Sequence, residues 1–80
     1  MIVEIKIFAS LRHHIPSSDK HLEKNKWRIS EGTVIGQVLE MLNIPEDAAR
    51  IFLINGRKAD KTSVLNEGDV LHIFPQMAGG

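Results

Sequence analysis

Eighty residues support one domain, and a domain of that size buries only about 60% of the surface its unfolded chain exposes. Little core is left in which to carve a deep substrate pocket, so the length favours a module that works with a partner over a self-sufficient enzyme. Ten basic side chains balance ten acidic ones, and there is no cysteine; this leaves no electrostatic footprint for nucleic acid or an anionic membrane, excludes disulfides and thiolate metal sites, and makes a reducing cytoplasm the expected compartment.

The first element spans Ile2 to Phe8. Val3, Ile5 and Ile7 alternate with Glu4, Lys6 and Phe8, the period-two pattern of a strand with one buried face; Phe8 is the odd member of the polar face. Its charges also deny this stretch the uninterrupted apolar core of a signal peptide. Arg12 to Lys20 reads as a loop, and a second strand is expected over Leu22 to Ile29, with Leu22, Trp27 and Ile29 as its apolar members. Trp27 reads as core edge rather than as a ligand platform. Thr33 reads as a helix N-cap, followed by Val34, Val38 and Leu42 at four-residue spacing with Ile35, Leu39 and Met41 beside them. Gly36 costs this helix up to about 1 kcal/mol relative to alanine, as expected where a helix packs closely on a sheet. Asn43 and Pro45 end it.

Glu46 to Arg50 is expected to form a short turn and Ile51 to Ile54 a strand, which is also the longest apolar run and far too short to cross a bilayer. Asn55-Gly56 is the strongest hairpin signal in the chain, with Arg57 to Ala59 pairing back. Asn66 to Asp69 is a further turn. Val70 to Phe74 is the last strand, with Leu71 and Ile73 on one face and Val70, His72 and Phe74 on the other, and Pro75 is expected to stop the pairing. One helix across a mixed sheet is an α+β domain. The order strand, strand, helix, strand, short strand, strand is that of the β-grasp arrangement, in which the first and last strands lie side by side. The expected organisation is a domain over residues 1–75 and an extended, flexible tail over residues 76–80.

That tail, Gln76-Met77-Ala78-Gly79-Gly80, can reach about 17 Å when stretched. At average glycine usage two terminal glycines arise by chance in roughly one sequence in 200. A frayed end without meaning is the plain alternative. The strand order beside it turns the pair into a signal.

Three stretches carry a resemblance: Lys6-Ile7-Phe8-Ala9-Ser10-Leu11-Arg12, Leu65-Asn66-Glu67-Gly68-Asp69-Val70 and Phe74-Pro75-Gln76-Met77-Ala78-Gly79-Gly80. With them the whole chain resembles the MoaD/ThiS family of ubiquitin-like sulfur carriers, and its Phe-Pro-x-x-x-Gly-Gly ending is most similar to the MoaD branch. Gln76 stands where a second proline is common in that branch, and His13 where an acidic residue is common. The resemblance implies that the working group is the carboxylate of Gly80, next to Gly79. An E1-like adenylating enzyme of the MoeB or ThiF type would join it to AMP at the expense of ATP, and a sulfur donor would convert it to a thiocarboxylate. In the MoaD branch the sulfur then passes to a pterin inside a large subunit of the MoaE type, so the chain would be the small subunit of molybdopterin synthase. It would bind no cofactor itself and would not be catalytic alone. Glycine at both positions suits the chemistry, since no side chain narrows the path of the tail or shields the acyl carbon.

In the strand register above, Phe8, His72 and Phe74 face away from the helix, near the start of the tail. With Arg12, Pro75, Gln76, Met77 and Ala78 they form the expected partner-binding surface, because clustered exposed aromatics suit an interface. Scattered exposed apolar residues that need no explanation are the alternative. His13, His14, His21 and His72 show no metal-ligand spacing, and no metal site is expected; there is no phosphate-binding loop motif and no nucleophile elbow. Rival functions are sulfur transfer in thiamine synthesis, a ubiquitin-like modifier that acylates lysines through the same Gly80, and a β-grasp binding module with an inert tail.

Overall fold

In the computed structural model the described residues are 1–8, 22, 25–45 and 47–75. Arg12, three of the four histidines, Glu46 and the tail Gln76 to Gly80 lie outside them. The elements are β1 (Ile2–Ile7), β2 (Lys26–Arg28), α1 (Ile35–Met41), β3 (Ala49–Ile54), β4 (Arg57–Ala59) and β5 (Val70–Pro75). They form one five-stranded sheet in the order β2-β1-β5-β3-β4. β1 and β5 are parallel neighbours, with Ile5 opposite Leu71 and Ile7 opposite Ile73; β2 pairs antiparallel with β1, and β3 pairs antiparallel with both β5 and β4. This is the β-grasp topology that the sequence pattern predicts. No helix among the described residues is long and apolar enough to cross a membrane.

The core lies between the sheet and α1. Val3, Ile5, Leu71 and Ile73 point to it from the central strands, Trp27 from β2 and Phe52 from β3, all nearly inaccessible to solvent. The helix contributes Ile35, Val38 and Leu39 with Leu42 just beyond its end, the i, i+3, i+4, i+7 stripe of a helix lying on a sheet. Its phase differs slightly from the predicted one, because Val34 is half-buried and Ile35 takes the inner position. Each fully buried aliphatic side chain contributes about 1.5–3 kcal/mol.

The ends of the helix are held by backbone. Thr33 does not cap it; its hydroxyl donates to the Ser30 carbonyl at 2.6 Å. The N-cap is Val34, which has no side-chain acceptor, so the first-turn amides find carbonyls elsewhere. Ile35 N–H donates to Ser63 O and Gly36 N–H to Lys61 O at 2.9 Å, while the Gln37 side chain accepts Val34 N–H. Gly36 therefore faces the loop after β4 and not the sheet, and a Cβ there would stand 3.4 Å from the Lys61 carbonyl oxygen. At the other end Ile44 N–H donates to Leu39 O and Asn43 N–H to Glu40 O, with Asn43 at φ 58° and Ile44 buried. This is a Schellman motif with asparagine in the left-handed position.

The remaining departures are local. β2 is shorter than the predicted Leu22 to Ile29 strand, although Leu22 N–H still reaches Lys26 O. β3 begins at Ala49, so Ala49 and Arg50 belong to the strand and not to the preceding turn. The extra residue is accommodated by a bulge between Ala49 and Ile51, which lets Ala49 and Phe52 both face the core although they are three apart. Pro75 does not stop the pairing; it is the last residue of β5, opposite Ala49. Asn55 and Gly56 have φ of 53° and 83°, the primed turn expected of a two-residue hairpin.

Asn55 also ties the hairpin to the turn before β5. Its amide donates to Asp69 Oδ1 at 2.9 Å, its Oδ1 accepts Val70 N–H, and Asp69 Oδ2 accepts Asn66 N–H at 2.7 Å. Asp69 is the buried charged residue of the described chain. Asp69→Ala strands two donors in a shielded place and is expected to lower the unfolding free energy by about 2 kcal/mol, read as a lower denaturant midpoint at unchanged slope. A second polar knot shapes the loop that holds the helix start. The hydroxyl and then the backbone N–H of Thr62 donate to Asp60 and hold its carboxyl below the usual 3.8. Because the folded-state value is the depressed one, this contribution is present above pH 3.8 and is lost as pH falls through the folded value. Asp60→Asn should therefore destabilise at neutral pH, and its melting temperature should converge on the wild type's as the pH is taken below that range.

Candidate docking face and tail origin

The outer face of the sheet is uncovered among the described residues, and its composition follows from the register. Val3, Ile5 and Ile7 face the core, so Glu4, Lys6 and Phe8 face out; Leu71 and Ile73 face in, so Val70, His72 and Phe74 face out. Parallel pairing of Lys6 with His72 then sets Phe8 beside Phe74. Their rings stack with centroids 4.5 Å apart and planes 8° from parallel, and His72 lies almost parallel to both at 5.8 Å from Phe8 and 6.3 Å from Phe74. Stacking of this kind contributes about 0.5–1.5 kcal/mol per pair beyond area burial. Phe8 keeps 37% of its surface exposed, and its N–H donates to Ile73 O, which fixes the residue on the sheet although it lies one position past β1.

Two further residues join the cluster. Ile51 is opposite Phe74 and Leu53 opposite His72, both outward because Phe52 and Ile54 turn inward. Ile51 is 43% exposed. The face thus carries two transverse rows, Phe8–Phe74–Ile51 and Lys6–His72–Leu53. Sequence reasoning treated Ile51 to Ile54 as one apolar run and missed these outward members. The Asn55-Gly56 turn was the signal that could have phased them, since a two-residue hairpin fixes which residues share a face. In the middle of the second row, His72 Nδ1 is buried and has no hydrogen-bond partner among the described residues. A shielded polar atom without a partner is a cost to the fold, of order 1–3 kcal/mol.

Of the residues expected in the partner surface, Phe8, His72, Phe74 and Pro75 are brought to the same end of the sheet. Pro75 closes β5, so the chain leaves for Gln76 next to the Phe8–Phe74 stack. Arg12, Gln76, Met77, Ala78, Gly79 and Gly80 lie outside the described residues. No cluster of acidic and histidine side chains able to hold a metal ion occurs among the described residues.

The ThiS family profile matches residues 5–80. The chain belongs to the ThiS family. The five-stranded sheet crossed by one helix is the ubiquitin-like fold of that family. Among solved structures the chain is similar to SAMP1 from Haloferax volcanii, at 21% identity and a TM-score of 0.65 over 100% of both chains. It is similar to a second crystal structure, of H. volcanii small archaeal modifier protein 1, at 20% identity and a TM-score of 0.65 over 95% of this chain and 98% of the other. The solution structure of the Haloferax volcanii HVO 2177 protein gives 25% identity and a TM-score of 0.69 over 100% of this chain and 87% of the other. No curated protein matches the chain.

If the aromatic cluster serves docking, its loss should be felt by a partner more than by the fold. Phe74→Ala is expected to weaken binding of an E1-like activating enzyme about tenfold or more, in line with an aromatic anchor, while the melting temperature falls by only a few degrees. A large fall in melting temperature with unchanged affinity would assign Phe74 to the core instead.

Proposed function

We propose that this ThiS-family chain is a sulfur carrier whose reactive group is the carboxylate of Gly80. The observation that carries the reading is that the family match extends through Gly79 and Gly80. A carboxylate is a poor electrophile. Attack of its oxygen on the α-phosphorus of ATP, in an E1-like adenylating partner, displaces pyrophosphate and gives an acyl-adenylate. A sulfur nucleophile at the sulfide level then adds to the acyl carbon, AMP leaves with the bonding pair, and a thiocarboxylate remains. Its sulfur is a strong nucleophile for delivery to an acceptor. The sheet face bearing Phe8, His72 and Phe74, extended by Ile51 and Leu53, docks the partner, and Pro75 to Ala78 lead the terminal glycines into its active centre.

Within this reading we place the chain on the MoaD branch, as the sulfur-donating small subunit of molybdopterin synthase with a large subunit of the MoaE type. Phe74-Pro75 at the end of β5 and Gly79-Gly80 at the end of the tail support that choice over thiamine synthesis. A modifier that acylates lysines through the same activated Gly80 stands second. Two of the similar structures are small archaeal modifier proteins, one matched along the full length of both chains.

The test uses the native, untagged chain with ATP, an E1-like adenylating enzyme and a sulfur donor, followed by intact mass measurement. Exchange of one terminal oxygen for sulfur is the expected product, whereas isopeptide conjugates on other proteins would favour the modifier. Gly80→Ala should slow adenylation and deletion of Gly80 should abolish transfer; normal thiocarboxylate formation by either variant would overturn the proposal.

A further inference from the structure

Formal charge is unevenly divided over the described residues. Lys6, Lys26, Arg28, Arg50, Arg57 and Lys58 all stand on strands, and Glu4 is the one described acid that does. Glu31, Glu40, Asp47, Asp60, Glu67 and Asp69 lie on the helix or in turns and loops. Register decides which side of the sheet each strand charge takes. Lys6 alternates with buried Ile5 and Ile7. Lys26 and Arg28 pair with Glu4 and Ile2 on either side of buried Trp27. Lys58 pairs with outward-facing Leu53, and its neighbour Arg57 pairs with inward-facing Ile54. Among the described residues the open face therefore holds Lys6 and Lys58 in the row of His72, and Lys26 and Arg28 toward the far end of β1, against one acid, Glu4, which lies 3.6 Å from Lys6. In a chain of zero net charge, the described part of this face carries more cations than acids, and the described acids other than Glu4 stand off the strands.

The row Lys6–His72–Leu53–Lys58 shows the design most directly: apolar and aromatic groups in the centre, an ammonium at each end. A neutral or basic partner surface closing over the centre would bring those ammoniums toward low dielectric without counter-charge, which is costly. Carboxylates at the partner's rim would pair with them and steer the encounter. A single-stranded nucleic acid would want free ring faces for its bases, but here Phe8 and Phe74 stack chiefly on each other. We propose that the partner surface seated on this face is an apolar patch rimmed by aspartate and glutamate carboxylates. This rests on the reading of the face as the docking surface and adds the charge of what docks there.

The test titrates the isotope-labelled full chain, observed by amide NMR, with two amphipathic helical peptides, one of leucine and glutamate and one of leucine and lysine. The acidic peptide should shift the amides of Phe8, Ile51, Leu53, His72 and Phe74, and the basic one should not. Lys58→Glu should weaken the acidic peptide about fivefold. Arg57→Glu, the same charge change one residue away on the opposite side of the sheet, should alter binding less than about twofold. Raising salt to about 0.5 M should weaken binding several-fold. The inference is overturned if the basic peptide binds as tightly, if neither peptide moves these amides, or if the two charge reversals act equally. It is overturned equally if a single-stranded oligonucleotide displaces the acidic peptide, or if sedimentation shows a second copy of the chain filling the face. Thiocarboxylate formation at Gly80, measured on the same samples, separates the two readings. A chain that gains sulfur yet prefers the basic peptide defeats only the charge assignment, and one that prefers the acidic peptide yet gains no sulfur defeats only the carrier role.

Discussion

The structure depends on the parallel pairing of β1 with β5. These strands come from opposite ends of the domain, so their pairing closes nearly the whole chain into one loop, and that closure is an entropic cost to be met before any contact returns it. The return lies on both faces of the sheet. On the inner face Val3, Ile5, Ile7, Leu71 and Ile73 form the centre of the core. On the outer face the same register brings Lys6 to His72 and Phe8 to Phe74. A slip of one residue would turn every one of these side chains to the wrong side. Core and docking face are therefore consequences of one alignment, and the end of that alignment is where the tail begins.

The register is secured from the flanks by backbone and polar contacts rather than by more apolar area. Asn55 reaches across from the hairpin to Asp69 and Val70 at the start of β5, and Asp69 O accepts Glu4 N–H from β1. Asp69, through its carboxyl and its backbone carbonyl, and the turn residue Asn55 thus tie β3, β5 and β1 together at the end of the sheet opposite the tail. The helix is anchored in the same way, by carbonyls of the loop at Lys61 and Ser63, a loop that Asp60 folds back on itself. In a domain too small for a large core, such satisfied polar knots replace the apolar contacts it lacks. They leave the other end of the sheet free of structural duties.

Strand order, the helix and the outward aromatics were legible because each rests on a strong local rule: period two in Ile2 to Phe8, four-residue spacing from Val34 to Leu42, and the Asn55-Gly56 turn. What escaped depended on distant atoms. Thr33 has the chemistry of an N-cap, yet the carbonyls of Lys61 and Ser63 already supply the first turn, so its hydroxyl turns to Ser30. Pro75 cannot donate to a ladder, but its own position opposite Ala49 is made by a bulge in β3 that no pattern in β5 announces. Ile51 and Leu53 vanish into an apolar run unless the hairpin is used to phase them. Asn43 needs no tertiary context, since asparagine tolerates the left-handed conformation that a Schellman ending requires, and it ended the helix as read. The tail lies outside the described residues, so its reading rests on the pair of glycines in the sequence.

The distribution of aromatic residues argues that the outer face was not shaped for stability. The described chain has four large aromatics; Trp27 and Phe52 are buried against the helix, while Phe8 and Phe74 stand outside. A small domain seeking only to be stable would gain about 1.5–3 kcal/mol from each fully buried phenylalanine. Stacking in the open recovers only part of that, and His72 Nδ1 beside the rings, without a hydrogen-bond partner among the described residues, adds a further cost. The free protein therefore holds unrealised free energy in one place, next to the residue from which the tail departs. Under the proposed function, a partner surface that covers Phe8, Phe74 and Ile51 would gain that burial where the tail begins. Under the proposed function, docking on this face and presentation of Gly80 would be coupled by position.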